Sequence, residues 1–396
     1  MKRLFTMTCV ALFGCFGLPH AAQANIIVVD STADSGSACT LRNAIDNANN
    51  NAQTHPGCAA GDGADTIIFS PTVFATPQTI ILSSSLPDLT DTASTTIDGG
   101  NMVTISGNGS VRIIQAGDLG THTGSAELRN LELARGNSTG YGGAILMTGD
   151  FLVLDNVVIS HSTAGIGGGG LFTQDGKTTI DGCLFISNVL DSGTGGGLMN
   201  SMADIDIRNS TFTLNSAASG GGGLFTGYGG TVTITNSTFS GNSSEYYGSA
   251  IRNFKVTALT LDYVTIANNT STHLGGGGAL DVENDGTITI TNSVVAGNAG
   301  YDCRGTITDG GSNFFGDSTC GSAAQGDPML DSLAYGEGIA PTMVPLTGSP
   351  LIDQATCDVD VAMGQRGVPR PQGAGCDIGA VEVELPIFAD GFEAPF

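Results

Sequence analysis

The feature that most constrains this chain is an internal repeat of about 27 residues. Aligned just past its glycine clusters, the sequence gives a column of Ile145, Leu171, Leu198, Leu224, Ile251 and Leu280, at spacings of 26, 27, 26, 27 and 29. A second column runs Leu154, Ile180, Ile207, Ile234, Leu261 and Ile290, and five residues after each lies a third, Ile159, Phe185, Phe212, Phe239, Ile266 and Val295. Within each unit the local period is two. "TVTIT" at 231–235 and "TITIT" at 287–291 alternate apolar residues with threonine, as a strand with one buried face does. Each unit therefore predicts three short strands separated by turns and no helix. That is one coil of a parallel β-helix, an all-β solenoid in which equivalent residues stack roughly 4.8 Å apart.

The polar positions of the repeat fit the same geometry. Eight residues after the second column come Asn188, Asn215, Asn242, Asn269 and Asn298, with Ser162 in the first unit. Stacked asparagines at a turn can pass amide hydrogen bonds from coil to coil and satisfy groups that the turn would otherwise bury. This makes the recurrent "NSTFSGN" of 236–242 a corner of the coil, although Asn236-Ser237-Thr238 is formally a glycosylation sequon. Cys183 shares a column with Val157, Ser210, Ser237, Val264 and Ser293, which predicts a small inward position and an inert thiol. Glycine, at 60 residues, suits sharp corners where a Cβ would meet the next coil.

The N-terminus sets the expected compartment. Lys2 and Arg3 precede an apolar run from Leu4 to Leu18, and "AAQA" ends at Ala24, which predicts an export signal over 1–24 and a mature start at Asn25. No later stretch reaches the ~18 apolar residues of a membrane helix, so no transmembrane segment is expected in the mature chain. Formal net charge is −24. Such a surface repels nucleic acid and anionic lipid. In an exported chain the close pairs Cys39 with Cys58, Cys303 with Cys320 and Cys357 with Cys376 read as disulfides, with connectivity open and Cys183 left over.

Upstream of the regular units, "ADTIIF", "QTIIL", "STTIDGGNMVTISGN", "SVRIIQAG" and "AELRNLEL" carry the same strands less evenly, giving roughly eight to ten coils and a rod of about 40 Å. In "CTLRNAIDNANNN", Leu41, Ala44, Ile45 and Ala48 fall on one helical face, so a short helix is expected to lie across the first coil. The implied organisation is a signal at 1–24, an N-terminal cap at 25–63, coils at 64–300, a C-terminal cap at 301–384 and a tail at 385–396. The region after Asn298 shows no train of strands for an autotransporter barrel.

These residues resemble a known group. "CTLRNAI" is similar to the "CSLREAI" motif of exported bacterial β-helix proteins, departing at Thr40 and Asn43. "GGGGLF…TVTITNSTFSGN" resembles polymorphic outer-membrane-protein repeats, and 348–382 resembles the terminal region of choice-of-anchor proteins. The resemblance implies a right-handed, single-stranded parallel β-helix, exported and surface-associated, often adhesin-like. It implies no catalytic residues. The tail "LPIFADGFEAPF" resembles a short ending of exported proteobacterial proteins.

Chemistry is sought on outward faces. Flanking the second column, outward positions are Asp155, Asp181, Arg208, Thr235, Asp262 and Thr291 on one side, and Val153, Thr179, Asp206, Thr233, Thr260 and Thr289 on the other. The dense charged patch is Lys177, Asp181, Asp204, Asp206 and Arg208. Neighbouring rungs place Lys177 beside Asp204 and Asp181 beside Arg208, the pairing of a solvated sheet. Asp181 and Asp206, roughly 8 Å apart on the diagonal, also have the spacing of an inverting glycosidase; a lyase would use calcium on the aspartates and Arg208 as base. The histidines accompany no nucleophile motif, and threonine rows are broken by Ala258 and Asp262, against a flat ice-binding array. No zinc spacing occurs. No cofactor is expected, with weak calcium binding at turn aspartates Asp281, Asp285, Asp302 and Asp309 as the remaining option.

The expected function is a non-enzymatic, surface-associated binding scaffold, with an unidentified cell-surface glycan or protein as partner. The alternative is a carbohydrate-active enzyme, lyase or glycosidase, working through Asp181, Asp206 and Arg208.

Overall fold

A computed structural model describes residues 25–117, 124–255, 258–273, 277–321, 324–336 and 338–384. The expected export signal, the C-terminal tail and His122 lie outside the described residues. The chain winds as a parallel β-helix. The column after the glycines pairs Ile145, Leu171, Leu198, Leu224, Ile251 and Leu280 rung to rung in an eight-stranded sheet. The second column pairs from Leu154 to Ile290, and the third from Ile159 to Val295, without a slip. Every member of the three columns is fully buried.

Parallel register stacks like on like. Phe185, Phe212 and Phe239 lie face over face, with centroids 4.4 and 4.7 Å apart and planes within 7°. The spacing is that of adjacent strands, which imposes a stack where free rings prefer an offset or an edge.

The asparagine column forms a continuous ladder. Nδ2 of Asn188, Asn215, Asn242 and Asn269 each donates to Oδ1 of the next asparagine at 3.0 Å, ending on Asn298. The same Oδ1 atoms accept the preceding asparagine's backbone N–H at 2.9–3.1 Å. The second amide hydrogen goes to the carbonyl of the previous coil's core residue, as from Asn242 to Phe212 at 2.8 Å. Ser162 N–H joins the top of the ladder through Asn188 Oδ1. A hydroxyl column runs beside it. Ser210 Oγ accepts from Cys183 N, Ser237 Oγ from Ser210 N and Ser293 Oγ from Val264 N. Cys183 occupies this column, fully buried and unpaired to another cysteine, and burial pushes its thiol up to about 12.

At the N-terminal end the helix Leu41–Asn50 is capped by Thr40, which accepts the Asn43 N–H at 3.2 Å. It buries Leu41, Ala44, Ile45 and Ala48 against strands Ile26–Val29 and Asp65–Phe69. The Cys39–Cys58 disulfide ties it down. Strands are present on both sides of the 64–300 span. Ile26–Val29 pairs with Asp65–Phe69, and Tyr301–Arg304, Ile307–Asp309 and Phe314–Phe315 add rungs beyond it. Cys303–Cys320 and Cys357–Cys376 complete three disulfides.

Beyond residue 328 the chain turns back along the outer side of the third strand row. Thr211 Oγ1 donates to the Pro341 carbonyl, Thr238 Oγ1 meets Gln365 Oε1, and Thr265 Oγ1 accepts the Ala380 N–H. The three threonines point outward yet are buried, because this segment covers them. Arg370 is its anchor. The guanidinium pairs with Glu382 at 3.0 Å, donates to the Gly379 and Ala380 carbonyls, and lies 4.1 Å from the Tyr263 ring centroid.

Candidate functional site

Among the described residues, two outward strand faces carry clusters of charge. The first is the patch on the second strand row. Register places Lys177 beside Asp204 and Asp181 beside Arg208. The ion pair itself runs along the strand. Arg208 grips Asp206 through Nε at 2.9 Å and Nη2 at 2.7 Å, while Asp181 accepts from Asn209 Nδ2 at 2.8 Å. Residues i and i+2 share a face, and the planar fork of arginine fits a carboxylate with two parallel bonds, so this geometry wins over the cross-rung pair. Asp204 accepts the Thr231 hydroxyl and N–H, which with Lys177 hold its pKa below the usual carboxylate value. Asp206 is thus occupied on both oxygens. Arg208, 57% exposed in its side chain, also borders a groove of about 460 Å³ whose far wall is Asp360 to Met363.

The same arrangement recurs upstream. Glu127 and Arg129 pair along one strand and stand in the columns of Asp206 and Arg208. Asp155 and Asp181 lie on the two rungs between the clamps. Burial is the main cause raising the Asp155 pKa, Asp181 and Glu127 add to it, and Arg129 opposes it.

The second surface follows the glycine column. The outward position just after it reads Leu146, Phe172, Met199 and Phe225, then changes to Arg252, Asp281 and Arg304. Two residues on, the same face carries Phe254 and Glu283 on adjacent rungs. These side chains form one network. Arg304 donates to both Asp281 and Glu283, and Arg252 donates to Glu283 and to the Ser219 carbonyl at 2.6 Å. Arg304 lies 3.7 Å from the Tyr247 ring centroid, and Arg252 5.7 Å from those of Tyr247 and Phe254. Tyr247 Oη meets His273 Nε2 at 3.4 Å.

Asp281 is fully buried. Burial raises its pKa, with Arg304 pulling the other way. For Glu283 burial also pushes upward, but the bonds from Arg252 and Arg304 together bring its pKa below the usual value. The two arginines and two carboxylates neutralise one another, a balance that keeps charges tolerable on a half-covered face. Among the described residues no group of three or more His, Cys, Asp or Glu is placed to hold a metal.

The aspartates expected in turns are differently placed. Only Asp285 lies in a turn; Asp281, Asp302 and Asp309 are strand residues. Asp302 accepts from Asn298 Nδ2 and the Asp317 N–H, and Asp309 from Asn313 Nδ2 and the Gly311 N–H. Their oxygens are taken up by neighbouring backbone and amide groups. Arg252, Glu283, Arg304 and Tyr247 did not emerge from the sequence. The available signal was the change from four apolar residues to charge in one outward column.

Comparison with known proteins agrees with the coil geometry. A family model described as a right-handed beta helix region matches residues 143–320. No curated protein matches the chain. Among solved structures it is similar to that of pectate lyase Pel9A, with 14% identity, a TM-score of 0.52, and coverage of 91% of this chain and 97% of that one. At that identity the likeness shows the fold alone, a right-handed parallel β-helix, which here has about 27 residues per coil and, among the described residues, one short helix near the N-terminal end.

Proposed function

We propose that the protein is an exported, surface-associated scaffold that binds an extended glycan along the sheet face following the glycine column, without turning it over. The observation that carries this reading is the contact of Arg304 with the Tyr247 ring at the rungs where outward residues change from apolar to charged. Aromatic faces next to fixed guanidinium and carboxylate groups suit a ligand with apolar faces and polar edges, which is what a sugar ring presents. The pairing argues for binding over catalysis. Asp281 and Glu283 are both engaged by arginine, which leaves neither free to exchange a proton with substrate.

A second reading is a polysaccharide lyase or glycosidase. It is favoured by the likeness to a pectate lyase, and by Asp155 with its raised pKa, set between the Arg129 and Arg208 clamps. One experiment separates the two. The mature protein is incubated with a panel of acidic and neutral polysaccharides, with and without calcium, scoring retention on the polymer and release of unsaturated or reducing ends. Binding without product, lost in Arg304→Ala and Tyr247→Ala, supports the scaffold; product formation that vanishes in Asp206→Ala or Asp181→Ala overturns it.

A further inference from the structure

The first coils contain a group of buried oxygens without a hydrogen-bond partner. Asp65 and Asp91 are 1% and 5% exposed, and Oδ2 of each has no hydrogen-bond partner; nor has Oγ1 of the fully buried Thr95. The three belong to one place. Thr95 is the rung partner of Asp65, whose N–H donates to the Ser94 carbonyl, and the Ser94 N–H returns to the Asp91 carbonyl. The remaining carboxylate oxygens are used locally: Asp65 Oδ1 accepts the Asp62 N–H at 3.1 Å and Asp91 Oδ1 the Ala93 N–H at 2.9 Å. No lysine, arginine or histidine among the described residues pairs with either aspartate. Burial raises the Asp65 pKa and Asp91 raises it further. Two buried like charges require a cation or a shared proton.

Asn25 lies next to them. Its carbonyl accepts the Thr66 N–H at 2.8 Å, and Ile26 is the rung partner of Thr66, which puts Asn25 level with Asp65. Asn25 Nδ2 donates to the Ala60 carbonyl, fixing the residue from its other side. Its backbone nitrogen is near enough to the Asp65 carboxylate to oppose the rise in its pKa.

We propose that Asp65 and Asp91 are an acceptor site for the α-ammonium group that cleavage before Asn25 creates, so that removal of the leader completes the first coil. The proposal rests on the reading of 1–24 as a cleaved export signal. Hydrolysis of the Ala24–Asn25 bond by a signal peptidase consumes one water and leaves a carboxylate on Ala24 and an ammonium on Asn25, since an α-amine has a pKa of about 7.7–8.0. An amide nitrogen offers one hydrogen; the ammonium offers three and a positive charge. It therefore supplies both what the orphan oxygens and what the paired carboxylates lack.

The test uses the chain from Asn25 onward, released from a fusion by a protease that cuts directly before it, and the same chain bearing a Gly-Ser extension. Acylation of the Asn25 amine by an amine-reactive ester is followed by peptide mass mapping. The free amine is expected to react roughly tenfold or more slowly than in Asp65→Asn, and the extension to lower the melting temperature by a few degrees. Asp91→Asn gives the same comparison if Asp65→Asn fails to fold. Equal amine reactivity in the unsubstituted chain and the variant, or an extension that leaves melting unchanged, overturns the pairing. N-terminal sequencing of the exported protein tests the leader separately: a start other than Asn25 removes the processing step while the pairing result stands.

Discussion

Replacement of Asn242 by alanine tests the ladder at its centre. Oδ1 of Asn242 is the acceptor for the Asn215 backbone N–H at 3.1 Å and for Asn215 Nδ2 at 3.0 Å; its Nδ2 donates to the Phe212 carbonyl and to Asn269 Oδ1. Asn269 Oδ1 would keep the Asn242 backbone N–H, and Asn215 Nδ2 would keep the Phe185 carbonyl. The Asn215 backbone N–H would keep nothing, in a residue that is fully buried. Four hydrogen bonds go, and with the orphaned Asn215 backbone donor as the dominant cost they amount to about 2–4 kcal/mol. Because a solenoid need not unfold as one unit, the assay is native-state hydrogen exchange at Asn215 with a denaturant melt beside it. Exchange there should quicken by roughly 30- to 1,000-fold, while Thr233→Ala, an exposed strand position, should leave it unchanged. A shift under about 0.5 kcal/mol with unaltered Asn215 exchange would refute the account of the corner as a hydrogen-bond relay.

Non-reduced digests should link 39 with 58, 303 with 320 and 357 with 376, and a thiol reagent should leave Cys183 unlabelled until the coils unfold. Arg370→Ala strands Glu382 as a buried charge at a cost of about 3–5 kcal/mol, so limited proteolysis should release the C-terminal segment, and an uncut segment would contradict its role as anchor. Arg208→Ala breaks an exposed pair and should cost under about 1 kcal/mol in a denaturant melt. The pH profile has a defined sign. Burial raises the pKa values of Asp281, Asp302, Asp377 and Glu382, so the folded state holds protons that the unfolded state has released, and their contribution to stability is lost as pH rises through the folded pKa. Melting temperature should therefore increase as pH falls from neutrality towards the usual carboxylate range, before the lowered carboxyls Asp34, Asp204 and Glu283 begin to protonate below it; a fall over that interval would contradict these shifts.

The rows were legible because a coil repeats its register. Phe185, Phe212 and Phe239 are 27 residues apart in sequence and one rung apart in space, so period alone gave contact. The helix was legible for the same kind of reason, from one apolar face over Leu41 to Ala48. What the sequence hid is whatever the period does not govern. Arg370 meets Tyr263 and Glu382 through a segment with no repeat, and nothing in "GVPRPQGAG" marks an arginine that is to be buried. Glu127 and Arg129 are in register, one rung before Val153 and Asp155, but they stand upstream of the six regular units from which the outward columns are drawn. Arg252 and Asp281 are in register, but on the outward face of the first strand, where the repeat is otherwise apolar and gives no sign of charge.

The returning C-terminal segment has a consequence for how such a chain can change. An array of near-identical coils invites gain or loss of a unit by duplication or deletion, since each new rung stacks on the last. Here Gln365 touches Thr211 and Thr238, and residues 379 and 380 touch Asn292 and Thr265, so the segment is fitted to particular rungs. A coil inserted between Thr238 and Thr265, now rung neighbours, would move those footholds a further ~4.8 Å apart and break the match. The brace thereby fixes the number of coils between Thr211 and Asn292, in an architecture whose rungs alone set no length.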